Sequence, residues 1–229
     1  MTNDRQLDDR QVDIQIERTT LVGDLSLPPE PKGLVLFAHG SGSSRLSPRN
    51  RTVSRALNGG GVATLLLDLL SREEGERDEV TARFRFNIPL LAERLAGASD
   101  WVRAQPGLRN FPLGYFGAST GAAAALVAAA TRPRTVSAIV SRGGRPDLAG
   151  HFLAAVRAPT LLIVGSRDPE VLAMNRVALR ALGMGAHQLT IVRGATHLFE
   201  EEGALEEVSR LALSWFQLHL APQSASAPT

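Results

Sequence analysis

Residues 111–130 read FPLGYFGASTGAAAALVAAA, and their reading decides the architecture. A short apolar run ending in Tyr115 and Phe116 suits a strand buried on both faces, and the alanine-rich run beyond Thr120 suits a buried helix. Between them, Gly117-Ala118-Ser119-Thr120-Gly121 matches G-x-S-x-G, a strand-to-helix turn sharp enough to present a serine at its apex. Such a turn strains the serine backbone, and glycines two residues to either side remove Cβ atoms that would clash. The helix opening there aims its first N–H groups at the place where negative charge develops when the serine attacks.

Outward from this stretch the same grammar repeats. Short apolar runs occupy residues 34–38, 62–67, 112–116, 136–140, 160–164 and 188–192, and helical periodicity marks 51–58, 88–104, 120–131, 171–182 and 204–219. Alternating strand and helix predicts a mostly parallel central sheet with helices on both faces. Before it, residues 12–17 and 21–27 alternate apolar with polar side chains and predict an N-terminal antiparallel strand pair, closed off by Pro28, Pro29 and Pro31. With no interior linker or repeat, residues 1–220 are expected to form a single α/β domain and 221–229 a flexible tail. The short span between residues 140 and 160 has no room for a cap domain, so an open site that accepts bulky or extended substrates is expected.

Open parallel sheets bind ligands beyond the carboxyl ends of their strands. Here those ends carry HGSGSS, DLLSREE, GASTG, SRGGRPD, GSRD and RGATH in turn. A neutral serine needs a base held by an oriented acid. His197 follows the run 188–192 and Asp168 the run 160–164, so Ser119, Asp168 and His197 stand in the chain order of a nucleophile, its orienting acid and its base. The bland alternatives are a helix cap for Asp168 and a structural role for His197. His39, His151, His187 and His219 fall on a loop, a short connection, a strand start and a helix end. Glu200–Glu202 read as the first turn of the last helix. The loop from His39 to Ser44 is placed to give one backbone N–H to an oxyanion hole, with Ser41 favoured and Gly42 also fitting, and Thr120 gives the other. The loop could instead cradle a phosphate, but GxGxxG and the Walker lysine are both missing.

Composition narrows the chemistry further. The 229 residues include no cysteine, which excludes disulfides, thiolate metal sites and a thiol nucleophile. The histidines show no paired ligand spacing, so neither a metal nor another cofactor is expected. The calculated isoelectric point of about 9.9 suggests a nucleic-acid binder. Yet the net charge is only +2, Lys32 is the sole lysine among 25 basic residues, and the arginines lie scattered among acids. Almost nothing titrates between histidine and arginine, so no nucleic-acid partner is expected. The polar N-terminus has no apolar signal segment, and the longest apolar run is too short to span a bilayer. A cytoplasmic protein acting on a small molecule, without a membrane partner, is the expectation.

Taken together, HGSGSS, GASTG, GSRDPEVL and GATHLFEE resemble the dienelactone hydrolase-like branch of the α/β-hydrolases, over nearly the whole chain. The resemblance implies the α/β-hydrolase fold, a carboxylic-ester hydrolase with Ser119, Asp168 and His197 as its triad, and no cofactor. Dienelactone hydrolases proper use a cysteine nucleophile, whereas this chain has Ser119, which speaks against dienelactone as substrate. Some relatives fuse this module to a phosphoribosyltransferase domain, for which the short N-terminal segment here is expected to leave no room. A binding protein without catalysis, or acyl transfer or perhydrolysis at the same serine, are the competing expectations. Arg72 and Arg142, at the ends of the second and fourth parallel runs, are candidates for reading a substrate anion. Their alternative is an internal salt bridge with Glu73, Glu74 or Asp147.

Overall fold

A computed structural model describes residues 7–220, so the tail expected at 221–229 lies outside the described residues. β1 (Asp8–Ile16) and β2 (Thr19–Leu27) form the antiparallel pair, and β2 continues antiparallel onto β4 (Ala63–Leu67). From there the sheet is parallel through β3 (Leu34–Ala38), β5 (Leu113–Ala118), β6 (Ala138–Arg142), β7 (Thr160–Gly165) and β8 (His187–Val192). The eight strands run in the order β1-β2-β4-β3-β5-β6-β7-β8. This is the α/β-hydrolase fold, with β5 at the centre between β3 and β6. Strand order reverses at β3, so the crevice beside β3 and β5 is the topological switch point where open α/β sheets bind ligands.

The layers follow from residue pattern. On one face, α3 (Ile88–Ala104) and α4 (Thr120–Thr131) pack through Leu91, Leu95, Val102 and the alanines of α4. The alanines let α4 lie close to the sheet, and residues 120–130 are all buried. On the other face, α1 (Pro48–Gly59) and α6 (Ala204–His219) cover Val35, Phe37, Phe116 and Val140 with Val53, Leu57, Val208 and Phe216. α5 (Pro169–Ala181) lies against β7 and β8. The segment between β6 and β7, where a cap would be inserted, holds two short 3-10 turns within Pro146–Ala155 that break at Gly150. Among the described residues no helix is long and apolar enough to cross a membrane.

Several details depart from the sequence reading. β1 begins at Asp8, because the backbone ladder with β2 reaches Leu27 although the first side chains are exposed. Glu200–Glu202 precede α6 and do not form its first turn, since Gly203, in a left-handed conformation, starts the helix. The third departure is α2 (Arg72–Thr81), absent from the expectation because its sequence, REEGERDEVT, is polar all round and buries only Asp78. Its start was nonetheless written in Ser71 and Glu74, which form a reciprocal capping box.

Phe116 is fully buried and stacks on Phe37 at 4.7 Å between ring centroids, in the middle of the second face. Phe116→Ala should therefore destabilise the fold by about 3–5 kcal/mol in urea unfolding. A loss below about 1 kcal/mol would show that this layer collapses around the hole.

Candidate active site

The turn after β5 has the geometry its glycines predict. Ser119 sits at φ 51°, ψ −121°, a left-handed conformation that costs a non-glycine residue about 1–3 kcal/mol. Its neighbours pin it there: the Ser119 N–H donates to the Arg142 carbonyl at 3.2 Å, and the Ser119 carbonyl accepts from Arg145 N–H at 3.1 Å. A Cβ on Gly121 would run into the carbonyl oxygens of Ala38 and His39, and one on Gly117 into the backbone of Ala122. Both glycines are demanded by close backbone approach.

Asp168 and His197 lie in contact. Asp168 is the N-cap of α5 by position, yet its side chain makes no cap hydrogen bond. Its Oδ2 instead lies 2.7 Å from His197 Nδ1, and the carboxylate is more buried than the imidazole, at 14% against 40% exposed. The bond fixes the tautomer that leaves Nε2 free. The ring stands against Gly143, whose added Cβ would lie 3.5 Å from His197 Cε1, one residue from the carbonyl that holds Ser119. The Ser119 hydroxyl makes no hydrogen bond to another described residue. Glu201 supports the histidine loop from behind, with both carboxylate oxygens 3.1 Å from Thr196 N.

On the opposite side of Ser119 the loop from His39 to Ser47 is tied down by polar clasps. The half-buried His39 ring accepts from Leu69 N–H at Nε2, which makes Nδ1 the donor to the Gly40 carbonyl at 2.9 Å. Asp68 takes Arg45 twice, through its backbone N–H and through Nη1, both at 2.7 Å. The loop thereby reaches the nucleophile, since a Cβ on Gly40 would be 3.1 Å from Ser119 Cβ. Ser41 N–H points at residue 120, donating to Thr120 Oγ1 at 2.8 Å. A cleft of about 670 Å³ opens beyond this loop, with Gly40, Ser41, Leu46, Leu70 and Arg85 in its wall. Arg85, passed over in the sequence, is held to Asp78 by Nε at 2.7 Å and by Nη2. Its sequence neighbourhood gave no hint, because Asp78 lies on the unrecognised helix.

The two candidate arginines part company. Arg72 starts α2 with its side chain 91% exposed, pairs with Glu76 at 3.1 Å and lines the cleft. Arg142 ends β6 and is buried, with 7% of its surface exposed. It has none of the anticipated partners: Glu74 pairs with Arg94, Asp147 with Arg145. Among the described residues no group of acids and histidines is arranged to hold a metal.

No family model matches the chain. A crystal structure of dienelactone hydrolase from Anabaena variabilis is 54% identical, with a TM-score of 0.93, covering 94% of this chain and 100% of that one. The chain belongs to the dienelactone hydrolase family. More distant members of the fold include a dienelactone hydrolase-like promiscuous phosphotriesterase from metagenomic libraries (19% identity, TM-score 0.76, covering 94% of this chain and 99% of that one). Another is the esterase domain of a Rhodothermus marinus protein (20%, TM-score 0.71, covering 93% and 100%). Two curated relatives from Mycobacterium tuberculosis, provisionally named phosphoribosyl transferases, are 54% identical over 217 residues. The match takes in 95% of this chain and 48% of each relative, so the chain spans about half their length.

Burial holds the pKa of His39 below its ordinary 6.5, against the opposing pull of the Gly40 carbonyl and the Asp68 carboxylate. Between the folded and unfolded values only the unfolded chain takes up the proton. Stability is therefore full above about pH 6.5 and falls as the pH drops through that window. Urea unfolding at pH 7.5 and pH 5 should show the loss. His39→Asn should flatten the slope, leaving the part due to His187 and His219, which burial lowers as well.

Proposed function

We propose that this chain is a serine hydrolase of carboxylic esters working through an acyl-enzyme. The observation that carries the reading is the strained Ser119 turn with an imidazole–carboxylate pair at 2.7 Å beside it. A binding protein has no use for a strained serine and an oriented base together. In this reading His197 Nε2 takes the Ser119 proton as Oγ attacks the ester carbonyl. Asp168 holds the ring and offsets its positive charge, and the carbonyl oxygen becomes an anion over the start of α4.

Thr120 N–H is one donor to that anion. Ser41 N–H is the second: it donates to Thr120 Oγ1 at rest, and the incoming oxygen replaces that hydroxyl as its acceptor. His197 then gives its proton to the leaving alcohol. Water, deprotonated by the same ring, attacks the acyl group and frees the acid. The cleft beyond the oxyanion loop, with Leu46 and Leu70 in its wall, suits the acyl portion. The phosphoribosyl transfer named for the mycobacterial relatives belongs to proteins about twice as long as the matched stretch.

Ser119→Ala should lose at least about 10³-fold in kcat on a neutral ester and keep its unfolding midpoint or gain slightly, because alanine relieves no more than the hydroxyl. A fluorophosphonate should label the parent protein at Ser119 and leave the variant unlabelled. Hydrolysis retained in Ser119→Ala, or turnover of phosphoribosyl pyrophosphate by this chain, would overturn the reading.

A further inference from the structure

Thr120, the residue after the nucleophile, carries a second donor besides its backbone N–H. It opens α4 and is buried, with 3% of its surface exposed. Its Oγ1 accepts from Ser41 N–H at 2.8 Å, and among the described residues this is the hydroxyl's only hydrogen bond. The hydrogen on Oγ1 therefore has no acceptor there. The two other buried threonines place theirs: Thr160 donates to the Ala158 carbonyl at 2.8 Å, and Thr64 donates to Asn58 Oδ1 at 3.5 Å. A buried donor without an acceptor costs free energy in the resting protein, so its retention calls for a state in which it is used.

The surroundings of Thr120 identify that state. Gly40 brings its loop against the nucleophile, since a Cβ there would lie 3.1 Å from Ser119 Cβ, and the next residue in that loop is Ser41, bonded to Thr120. The idle hydrogen thus belongs to the residue whose N–H, with that of Ser41, takes the carbonyl oxygen. Resting on the serine-hydrolase reading above, we infer that the Thr120 hydroxyl is a catalytic group, a third donor to the oxyanion. At rest it satisfies Ser41 N–H as an acceptor. When Ser119 Oγ bonds to the carbonyl carbon, the π pair moves onto the carbonyl oxygen, and that oxygen takes over Ser41 N–H. The released hydroxyl turns about its Cα–Cβ bond and donates its hydrogen to the same oxygen. No proton is transferred at Thr120, and the contact lapses when the pair returns to re-form the carbonyl and expel the alcohol. Only a hydroxyl, accepting in one state and donating in the other, meets both demands at this size. An anion takes a hydrogen bond more strongly than a neutral carbonyl does, so the gain falls on kcat more than on KM.

The test compares the parent protein with Thr120→Val, which keeps the shape and loses the hydroxyl, and with Thr120→Ser, which keeps the hydroxyl. On 4-nitrophenyl acetate Thr120→Val should lose about 10²-fold in kcat with KM little changed, as for removal of one oxyanion donor, because acylation and deacylation share the hole. Thr120→Ser should keep most of the rate. Phenylboronic acid takes the serine oxygen onto boron and sets a boron-bound oxygen where the carbonyl oxygen would lie. It should bind Thr120→Val at least about tenfold more weakly than the parent.

A Thr120→Val protein as fast as the parent, or faster, would make the hydroxyl a place-holder that substrate merely evicts, and would overturn the proposal. A loss confined to KM, or an equal loss in Thr120→Ser, would assign Thr120 to packing and overturn it too. If Thr120→Val does not fold, Thr120→Ser and Thr120→Ala decide, since they differ by the hydroxyl alone. Their kcat values should differ at least about tenfold, and equal values refute the third donor. The two readings fail separately. Fluorophosphonate labelling at Ser119 with no effect of the Thr120 hydroxyl refutes only the third donor, whereas hydrolysis retained in Ser119→Ala refutes the acyl-enzyme reading itself.

Discussion

The left-handed backbone of Ser119 is the constraint around which the centre of the molecule is organised. A serine does not hold φ 51° unless its surroundings over-determine it, and here both of its peptide groups are bonded to the strand and loop of a different unit. That bonding requires β6 to end level with β5, which the parallel register Ala118↔Arg142 provides. It also requires α4 to leave at once and closely, which only Gly117, Gly121 and a run of alanines allow. The strain at one residue is thus held by three elements, and each would be placed differently without it.

The loop on the other side of Ser119 is held in a comparable way. A loop rich in glycine and serine has little apolar surface with which to hold itself, and residues 39–47 are held by polar contacts that reach across the sheet. His39 spans from β3 to the end of β4, Arg45 spans to Asp68 and Asp24, and Ser41 reaches Thr120. The fold therefore places the two ends of the loop by strand pairing and its middle by hydrogen bonds. Neutral His39 is part of this arrangement, because the ring must keep an unprotonated Nε2 to accept Leu69 N–H.

These two modes of holding explain what was legible in the sequence. The sheet, α3, α4 and α6 announce themselves because they bury apolar faces with a period, and Ser119, Asp168 and His197 because each follows such a strand. α2 and the partner choices of the arginines do not, since both rest on side-chain geometry between residues distant in sequence. Asp78 binds Arg85 and the backbone of residues 84 and 85, and Glu74 binds Arg94 some twenty positions away; neither leaves a hydrophobic trace. Glu200–Glu202 mislead for the same reason. Acids near a helix start look alike, whether they belong to its first turn or, like Glu201, accept from Thr196 in the loop before it.

The one-sided preference for arginine over lysine acquires a physical reason from these contacts. Arg45 divides its guanidinium among Asp24, Asp68 and Gln11, and Arg85 clasps both the side chain and the carbonyl of Asp78. A lysine ammonium is a point charge and cannot present donors at fixed angles to separate acceptors. The preference matters most at Arg142, where burial and the like charge of Arg49 bring the pKa only to about 10 because arginine starts so high. A lysine in that position, starting two units lower, would be driven toward the neutral form by the same desolvation. The high isoelectric point is then a by-product of using fork-shaped cations inside the fold.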